Sequence, residues 1–171
     1  MKKFLVGILV LTLVFGFSSF SYAAKAKVGI VYDVGGRGDK SFNDAAYKGL
    51  QDAVKKLDIE GKDVEPGEGG ANREELLRLL AEQGYDLVIG VGFLFTDALV
   101  KVAKDFPNTK FAIVDGVIED LPNVRSLVFK EHEGSFLVGA IAGLMTKTNK
   151  VGFVGGMDMS LIHKFEVGYR A

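Results

Sequence analysis

A short apolar run that ends in a polar, glycine-containing loop and is followed by a helical pattern recurs along this chain. The runs are Val28–Tyr32, Asp86–Val91 and Lys110–Asp115. Runs of this length, bounded by turn residues, are typical of strands that are buried on both faces of a parallel sheet. The helical patterns between them give the order strand, helix, strand, helix, strand. This alternation predicts an α/β fold with a right-handed, doubly wound parallel sheet.

The first of these units carries residue types that can hold a small polar molecule. Asp33 follows the strand at its carboxyl end, and a glycine-rich loop leads to Ser41, Phe42 and Asn43 at a predicted helix start. Ligands of open α/β sheets bind at this edge. A carboxylate accepts hydrogen bonds, a carboxamide donates and accepts them, and a phenyl ring offers a face for a flat heterocycle or a sugar. Turns and caps use the same residues, so residue type alone leaves a purely structural role open.

Two phosphate-binding motifs are incomplete in this loop. A Walker loop requires Gly-Lys-Ser, but this chain has Asp39-Lys40-Ser41, which puts an acid where the motif has glycine. The dinucleotide fingerprint requires a third small residue, and the same acidic and basic residues follow Gly38 instead. The tripeptide Arg37-Gly38-Asp39 spells an adhesion sequence, which we attribute to chance.

The remaining elements of the first lobe are predicted from apolar spacing and from cap residues. We expect a helix over about 43–57, a weak edge strand at 63–65, a capping box that begins at Asn72, a helix capped by Thr96 and a strand over 124–129.

Acidic residues stand at the carboxyl ends of two predicted strands, Asp33 after the first and Asp115 after the third. Because the carboxyl ends of parallel strands meet at one edge of the sheet, these acids favour a shared polar site. Gly92 and Phe93 begin the loop that follows the strand between them. The alternative is that each acid caps only its own loop.

The N-terminal segment has the composition of a signal peptide. Two lysines precede an apolar stretch over residues 4–17, and small residues at 21 and 23 predict cleavage after Ala23. An uncleaved membrane anchor is the alternative, because residues 4–24 carry no charge. The sequence contains no cysteine, which excludes disulfides and a lipid-modified N-terminal cysteine. We therefore expect a periplasmic or secreted protein rather than a tethered one.

The segment after residue 128 predicts a second lobe that is incomplete. It contains an uncharged helix over 136–145, a strand and loop at 151–156, and a further helix from Leu161 to Tyr169. The first of these helices is too short to span a membrane, so we expect its apolar face to be core. A single strand cannot form a sheet. The predicted domains are a signal peptide over 1–23, an N-terminal ligand-binding lobe over 24–128, and the truncated start of a second lobe over 129–171.

Asp33, the glycine loop and the sequence Asp39-Lys40-Ser41-Phe42-Asn43 resemble the signature of the basic membrane protein family. Members of this family are substrate-binding proteins of ABC importers, and several resemble purine nucleoside receptors. The resemblance runs from about Lys27 to the last residue. It implies a type I periplasmic-binding-protein fold, in which two lobes hold a ligand between them, and this chain resembles only about the first half. Many relatives resemble lipoproteins, from which a chain without cysteine departs.

The resemblance also implies roles for the candidate residues. Phe42 would stack on the base of a nucleoside, Asp33 and Asn43 would contact the base edge, and Asp115 would accept hydrogen bonds from ribose hydroxyls. The loop that begins with Gly92 and Phe93 would line the cleft. The expected partners are a nucleoside and the membrane permease of an ABC importer, and we expect a monomer without a cofactor or a metal. The aromatic residue, the acid and the lysine that family members supply from the second lobe have no counterpart in this sequence.

An enzyme on a doubly wound fold is the main alternative to a binding protein. Nucleophiles and metal ligands are scarce, because the sequence has no cysteine, only His132 and His163, no Gly-x-Ser-x-Gly elbow and no metal-ligand spacing. His132 lies between two glutamates in a predicted connection, where a solvated role is expected. A net charge of −1 gives no basic field that would attract nucleic acid. A truncated lobe that has lost its function is the third alternative.

Overall fold

The computed structural model describes residues 24–171, so the predicted signal peptide lies outside the described residues. The strands are β1 (Lys27–Val31), β2 (Glu60–Val64), β3 (Leu87–Val91), β4 (Lys110–Val114) and β5 (Val124–Leu127). The helices are α1 (Phe42–Leu57), α2 (Arg73–Glu82), α3 (Thr96–Asp105), α4 (Glu131–Met145) and α5 (Ser160–Arg170). Short 3₁₀ turns occur at Glu68–Gly70 and Phe93–Phe95.

The strands form one five-stranded sheet in the order β2-β1-β3-β4-β5, and every neighbouring pair is parallel. This confirms the predicted doubly wound sheet. The chain moves outward from β1 to β2 and then returns to the other side of β1, so the strand order reverses between β1 and β3. Open α/β sheets bind ligands at such a reversal, outside the carboxyl ends of the strands. The predicted edge strand is confirmed as an edge strand, although it begins at Glu60.

Apolar residues at helical spacing bury the two faces of the sheet separately. On one face, α2 and α3 bury Leu77, Leu80 and Leu99 against strand residues such as Val31 and Val88. On the other face, α1 buries Leu50 against Ile30, Tyr32 and Val91. A large buried aliphatic side chain removed from such a core costs about 2–5 kcal/mol of stability, so these contacts fix the strand ends that carry the candidate site.

Asn72 occupies the predicted N-cap position of α2, whereas Thr96 does not occupy that of α3, and neither side chain makes a capping hydrogen bond. Asn72 stands before α2, but its Oδ1 accepts a hydrogen bond from the Gly67 N–H at 2.8 Å and makes no cap bond to the helix. Thr96 is the first residue of α3, and its hydroxyl donates to the Phe93 carbonyl at 2.6 Å. In both cases the side chain turns back to the preceding loop, which competes with the helix N–H groups for the same polar atoms.

The segment from Glu131 onward departs most from the sequence prediction. Residues 151–156 are not a strand, because within residues 24–171 no neighbouring strand pairs with them. The apolar face of α4 is not core, since Phe136 is 47% and Leu144 is 86% exposed. Helix α5 is the element that packs on α4, and it does so where Gly139 meets the Tyr169 carbonyl. His132 lies in the first turn of α4 rather than in a connection.

Across residues 24–171 no helix is both long enough and apolar enough to cross a bilayer.

Candidate functional site

Asp33 and Asn43 are joined where β1 meets the start of α1. The Asp33 N–H donates to Asn43 Oδ1 at 2.9 Å, and Asn43 is only 2% exposed. The Asp33 carboxylate is oriented by the next residue, because the Val34 N–H donates to its Oδ1 at 2.8 Å. The strand end and the helix start are therefore held in one fixed arrangement at the strand-order reversal.

Gly92 lies beside this pair and requires the absence of a side chain. Its φ is +106°, and a Cβ atom placed on it would lie 2.6 Å from Asp33 Oδ2. Its N–H donates to the Val114 carbonyl at 3.0 Å, which ties the end of β3 to the end of β4. Glycine at this position lets the backbone of the β3 loop approach the Asp33 carboxylate closely.

Asp39 fixes the start of α1, although Ser41 occupies the cap position. Its carboxylate accepts hydrogen bonds from the N–H groups of Ser41, Asn43 and Asp44 at 2.8–3.1 Å. These hydrogen bonds, led by the one from Asn43, hold the pKa of Asp39 below its ordinary value. Because both carboxylate oxygens accept hydrogen bonds from the backbone, Asp39 is engaged inside its own loop and fixes the helix start that carries Phe42 and Asn43.

Arg73 is a component of the site that the sequence analysis missed. Its Nη2 lies 3.5 Å from Asp33 Oδ1, its Nη1 donates to the Gly70 carbonyl at 2.9 Å, and its guanidinium stands over the Phe95 ring. The side chain is only 15% exposed. Arg73 comes 40 residues after Asp33 and starts α2. The sequence offers no local signal that this arginine would reach the strand end.

Phe42 and Asp115 meet in a groove beside the sheet edge. The groove has a volume of about 600 Å³ and is shared by the first lobe and by residues 129–171. Its other lining residues are mostly aromatic or acidic and include Phe129, Glu131, Phe153, Phe165 and Tyr169. Of the two strand-tip acids that the sequence analysis placed in a shared site, Asp115 lines this groove and Asp33 is not among its lining residues.

Asp115 has the features of an unsatisfied hydrogen-bond acceptor. Its φ is +60°, a conformation that non-glycine residues rarely adopt, and its N–H donates to the Leu127 carbonyl at 3.0 Å. Its Oδ1 is buried and accepts no hydrogen bond from any described residue. Burial raises the pKa of Asp115, the nearby Glu131 carboxylate raises it further, and Lys164 partly offsets both.

The structure divides five of the six candidate residues into two groups that the sequence analysis did not distinguish. Asp33, Asn43 and Gly92 form a tight cluster at the strand-order reversal, whereas Phe42 and Asp115 line the groove. Phe42 and Asn43 are consecutive residues of α1, so the cluster and the groove adjoin. Phe93 is half-buried and is not among the groove-lining residues; its carbonyl accepts the Thr96 hydroxyl.

Comparison with known proteins finds a family model and curated relatives that match this chain. A family model described as "ABC transporter substrate-binding protein PnrA-like" (Bmp) matches residues 26–171. The chain is 44% identical over 148 residues to the "CD4+ T-cell-stimulating antigen" of Listeria monocytogenes, covering 84% of this chain. It is 39% identical over 148 residues to the "ABC transporter nucleoside-binding protein BmpA" of Lactococcus lactis, covering 85% of this chain. The chain spans 42% of the length of each of these two curated relatives.

A solved structure shares both the fold and the sequence pattern. The solute-binding protein of an ABC transporter system from Aeropyrum pernix K1 superposes with a TM-score of 0.73 and 37% sequence identity. The match covers 84% of this chain and 41% of that chain. The fold of residues 24–171 is therefore similar to part of a periplasmic-binding-protein type of solute receptor.

Proposed function

The chain belongs to the Bmp family of PnrA-like ABC transporter substrate-binding proteins, and from this we propose that it supplies one wall of a purine nucleoside site in a two-lobed receptor. A curated relative is named as a nucleoside-binding protein. The observation that carries the proposal is the groove in which an exposed face of Phe42 and an unsatisfied Asp115 carboxylate occur together.

The groove fits a nucleoside in both size and chemistry. Its volume of about 600 Å³ lies within the range of about 300–1,000 Å³ that small-molecule sites occupy. The Phe42 ring would stack on the base, and Asp115 would accept hydrogen bonds from ribose hydroxyls. In a two-lobed receptor, closure of the second lobe over this largely aromatic lining would exclude water and so strengthen each hydrogen bond made inside the groove.

The cluster beside the groove supplies complementary groups for the edge of a base. Asn43 Oδ1 is occupied by the Asp33 N–H, so the amide nitrogen of Asn43 is the group left to donate. Asp33 Oδ2, next to Gly92, is an acceptor. A donor beside an acceptor is the pattern that the edge of a purine can match. Phe93 would extend the wall formed by the β3 loop.

The rest of the receptor is proposed from the family and from the surface of α4. Residues 24–128 would form the N-terminal lobe, and residues 129–171 would begin a second lobe that continues in a full-length protein. The exposed apolar residues of α4 support this division, since they would be covered by the remainder of that lobe. Ligand would favour the closed arrangement of the lobes by its greater affinity for it, and a membrane permease would recognise that state.

The proposal includes export of the receptor through a cleaved signal peptide over residues 1–23. The receptor would then act as a periplasmic or secreted monomer.

A nucleoside-processing enzyme is the alternative that the same groove could serve. Both histidines lie outside the groove lining, and His163 pairs with the exposed Asp158 at 2.7 Å. The groove therefore offers acids but no activated nucleophile, which suits retention of the ligand better than its conversion.

A calorimetric titration of the full-length protein with adenosine, guanosine and inosine tests the proposal. We expect saturable binding of one molecule per protein, and recovery of the unchanged nucleoside from the complex by chromatography. Release of free base or sugar phosphate would favour the enzyme, and the absence of heat with every nucleoside would refute the binding site.

A further inference from the structure

The Arg73 guanidinium lies between three segments that meet at the strand-order reversal. It forms an ion pair with Asp33 at the end of β1, with 3.5 Å between Nη2 and Oδ1, and its Nη1 donates to the Gly70 carbonyl at 2.9 Å. Its centre lies 5.6 Å from the centroid of the Phe95 ring, which is buried in the turn after β3. Gly70 has a φ of +68°, and a Cβ atom there would lie 2.5 Å from Cζ of Arg73, so a side chain at this position would displace the guanidinium.

The stability of the fold does not by itself account for this placement of Arg73. Its side chain is 15% exposed, and its Nε is buried without an acceptor among residues 24–171. A buried donor without a partner lowers stability, so each one in a folded protein calls for an explanation. Arg78 shows how a similar set of partners is arranged at the surface. It pairs with Glu74 and Asp105, stands over the Phe106 ring and is 33% exposed.

The two oxygens of the Asp33 carboxylate have different surroundings. Oδ1 accepts a hydrogen bond from the Val34 N–H at 2.8 Å and pairs with Arg73, whereas Oδ2 is the oxygen beside Gly92. Among the described residues no group donates to Oδ2, and Oδ2 is not one of the buried atoms that lack a partner. The Asp33 side chain is 22% exposed. Arg73 therefore holds one oxygen, while the other is reached by solvent.

We propose that Arg73 is a positioning residue, which orients the Asp33 carboxylate so that Oδ2 accepts a hydrogen bond from the edge of the base. This inference rests on the proposed nucleoside site and adds to it a residue that acts through Asp33. Arginine suits this role because its planar guanidinium presents donors in fixed directions and packs its face on an aromatic ring. Lysine carries the same charge on a flexible chain but provides neither the fork of donors nor the flat face.

Two ligands separate an effect on the base edge from an effect on the fold. Guanosine has N–H donors at N1 and at its 2-amino group, whereas purine riboside has the same ribose and ring system without these donors. A change that misplaces the Asp33 carboxylate should weaken binding of guanosine and leave binding of purine riboside nearly unchanged. A change that disturbs the whole site should weaken both.

The test titrates both ligands into the full-length protein and its Arg73→Met and Arg73→Lys variants by calorimetry. Methionine keeps a long apolar chain but removes the charge and the donors, whereas lysine keeps the charge. Arg78→Met is the matched control, because Arg78 has two carboxylate partners and an aromatic neighbour that are separate from Asp33. Circular dichroism and thermal melting establish that each variant is folded.

We expect Arg73→Met to weaken guanosine binding about tenfold and to leave purine riboside binding within about twofold, as for loss of one charge-assisted hydrogen bond to the ligand. Arg73→Lys should show the same selective loss to a smaller extent, and it carries the comparison if Arg73→Met does not fold. The control should change neither affinity. Equal losses for both ligands, or no loss for guanosine, would overturn the inference.

A double variant shows whether Arg73 acts through Asp33. In an Asp33→Ala background, Arg73→Met should cause no further loss of guanosine affinity, because the residue that it orients is already absent. Losses that add in the double variant would overturn the inference and give Arg73 a role independent of Asp33.

The native protein separates failure of this inference from failure of the proposed function. We expect it to bind guanosine more tightly than purine riboside. Equal affinities would overturn the role of Arg73 while leaving the nucleoside site intact, whereas no binding of either ligand would refute both proposals.

Discussion

Phe42 is partly buried against the core beside Leu50, while its ring also lines the groove with Asp115. One side chain thus anchors α1 and also lines the groove proposed to hold the ligand. The rule that ligands bind at the carboxyl ends of parallel strands predicted this residue and Asp115 from sequence. It could not predict Arg73 or Glu131, because their contacts with the site arise from tertiary packing of α2 and α4.

Replacing Phe42 with alanine should weaken purine nucleoside binding about 10- to 100-fold, because stacking of a base on an aromatic ring contributes about 1–3 kcal/mol. Calorimetry on the full-length protein measures this change. Phe136→Ala is the matched control, since Phe136 is 47% exposed and lies outside this groove. Unchanged affinity in Phe42→Ala would remove the stacking role.

Asp115→Asn should raise thermal stability at neutral pH in the absence of ligand, while it lowers nucleoside affinity. Burial and Glu131 raise the pKa of Asp115, so the folded state favours the protonated acid, and the stability present at low pH is lost as pH rises through that raised pKa. The asparagine side chain of the variant does not ionise, so the variant does not lose stability in this way. We therefore expect the melting temperature of the variant to exceed that of the native protein at pH 7.

This difference in melting temperature should shrink as the pH is lowered and Asp115 becomes protonated. Asp120→Asn is the control, because Asp120 shares the positive φ but is exposed and lies outside the groove. A native protein that is the more stable of the two at pH 7 would contradict the account of Asp115 as a carboxylate without a partner.

At the scale of elements, most helices and strands of the first lobe were predictable because each has a clear local signal. The start of α1 follows Asp39 and the turn after Gly38, and strands β1, β3 and β4 each contain an uninterrupted apolar run of at least four residues. The strand predicted within 151–156 is wrong. A strand forms only when it makes hydrogen bonds to a neighbouring strand, and the sequence of one segment does not show whether such a partner is present.

The start of α1 gives a test at this scale. Asp39→Ala should lower the melting temperature at pH 7, because three backbone N–H groups lose their acceptor. The folded state lowers the pKa of Asp39 from 3.8, so its stabilising contribution is complete above that value and is lost as pH falls through the lowered pKa.

Melting temperatures of the native protein and Asp39→Ala should therefore converge as the pH falls below this lowered pKa, where the carboxyl is protonated in both folded and unfolded chains. Asp97→Ala is the matched control in the first turn of α3. A constant difference across this pH range would show that the carboxylate charge does not stabilise the helix start.

At the scale of the whole molecule, the two parts of the chain differ in how completely they are folded around a core. The first lobe has both faces of its sheet packed by helices, whereas α4 leaves Leu137, Ile141 and Leu144 exposed. Sequence analysis predicted an incomplete second lobe from its single strand, but it could not show which face of α4 lacks a partner.

Residues 24–171 produced alone should therefore self-associate and bind a hydrophobic dye, because large exposed apolar patches promote association. Analytical ultracentrifugation and dye fluorescence measure both effects. The full-length protein and a chain of residues 24–128 are the comparisons, and both should remain monomeric with little dye binding. A monomeric, dye-free 24–171 chain would contradict the proposal that α4 is covered by further sequence.

The most direct test of the proposed nucleoside site is a crystal structure of the full-length protein with guanosine bound. We expect the base to stack on Phe42, the base edge to lie near Asp33 and Asn43, and a ribose hydroxyl to donate to Asp115. Density for guanosine at another location, with the groove beside Phe42 and Asp115 empty, would contradict the account of this site.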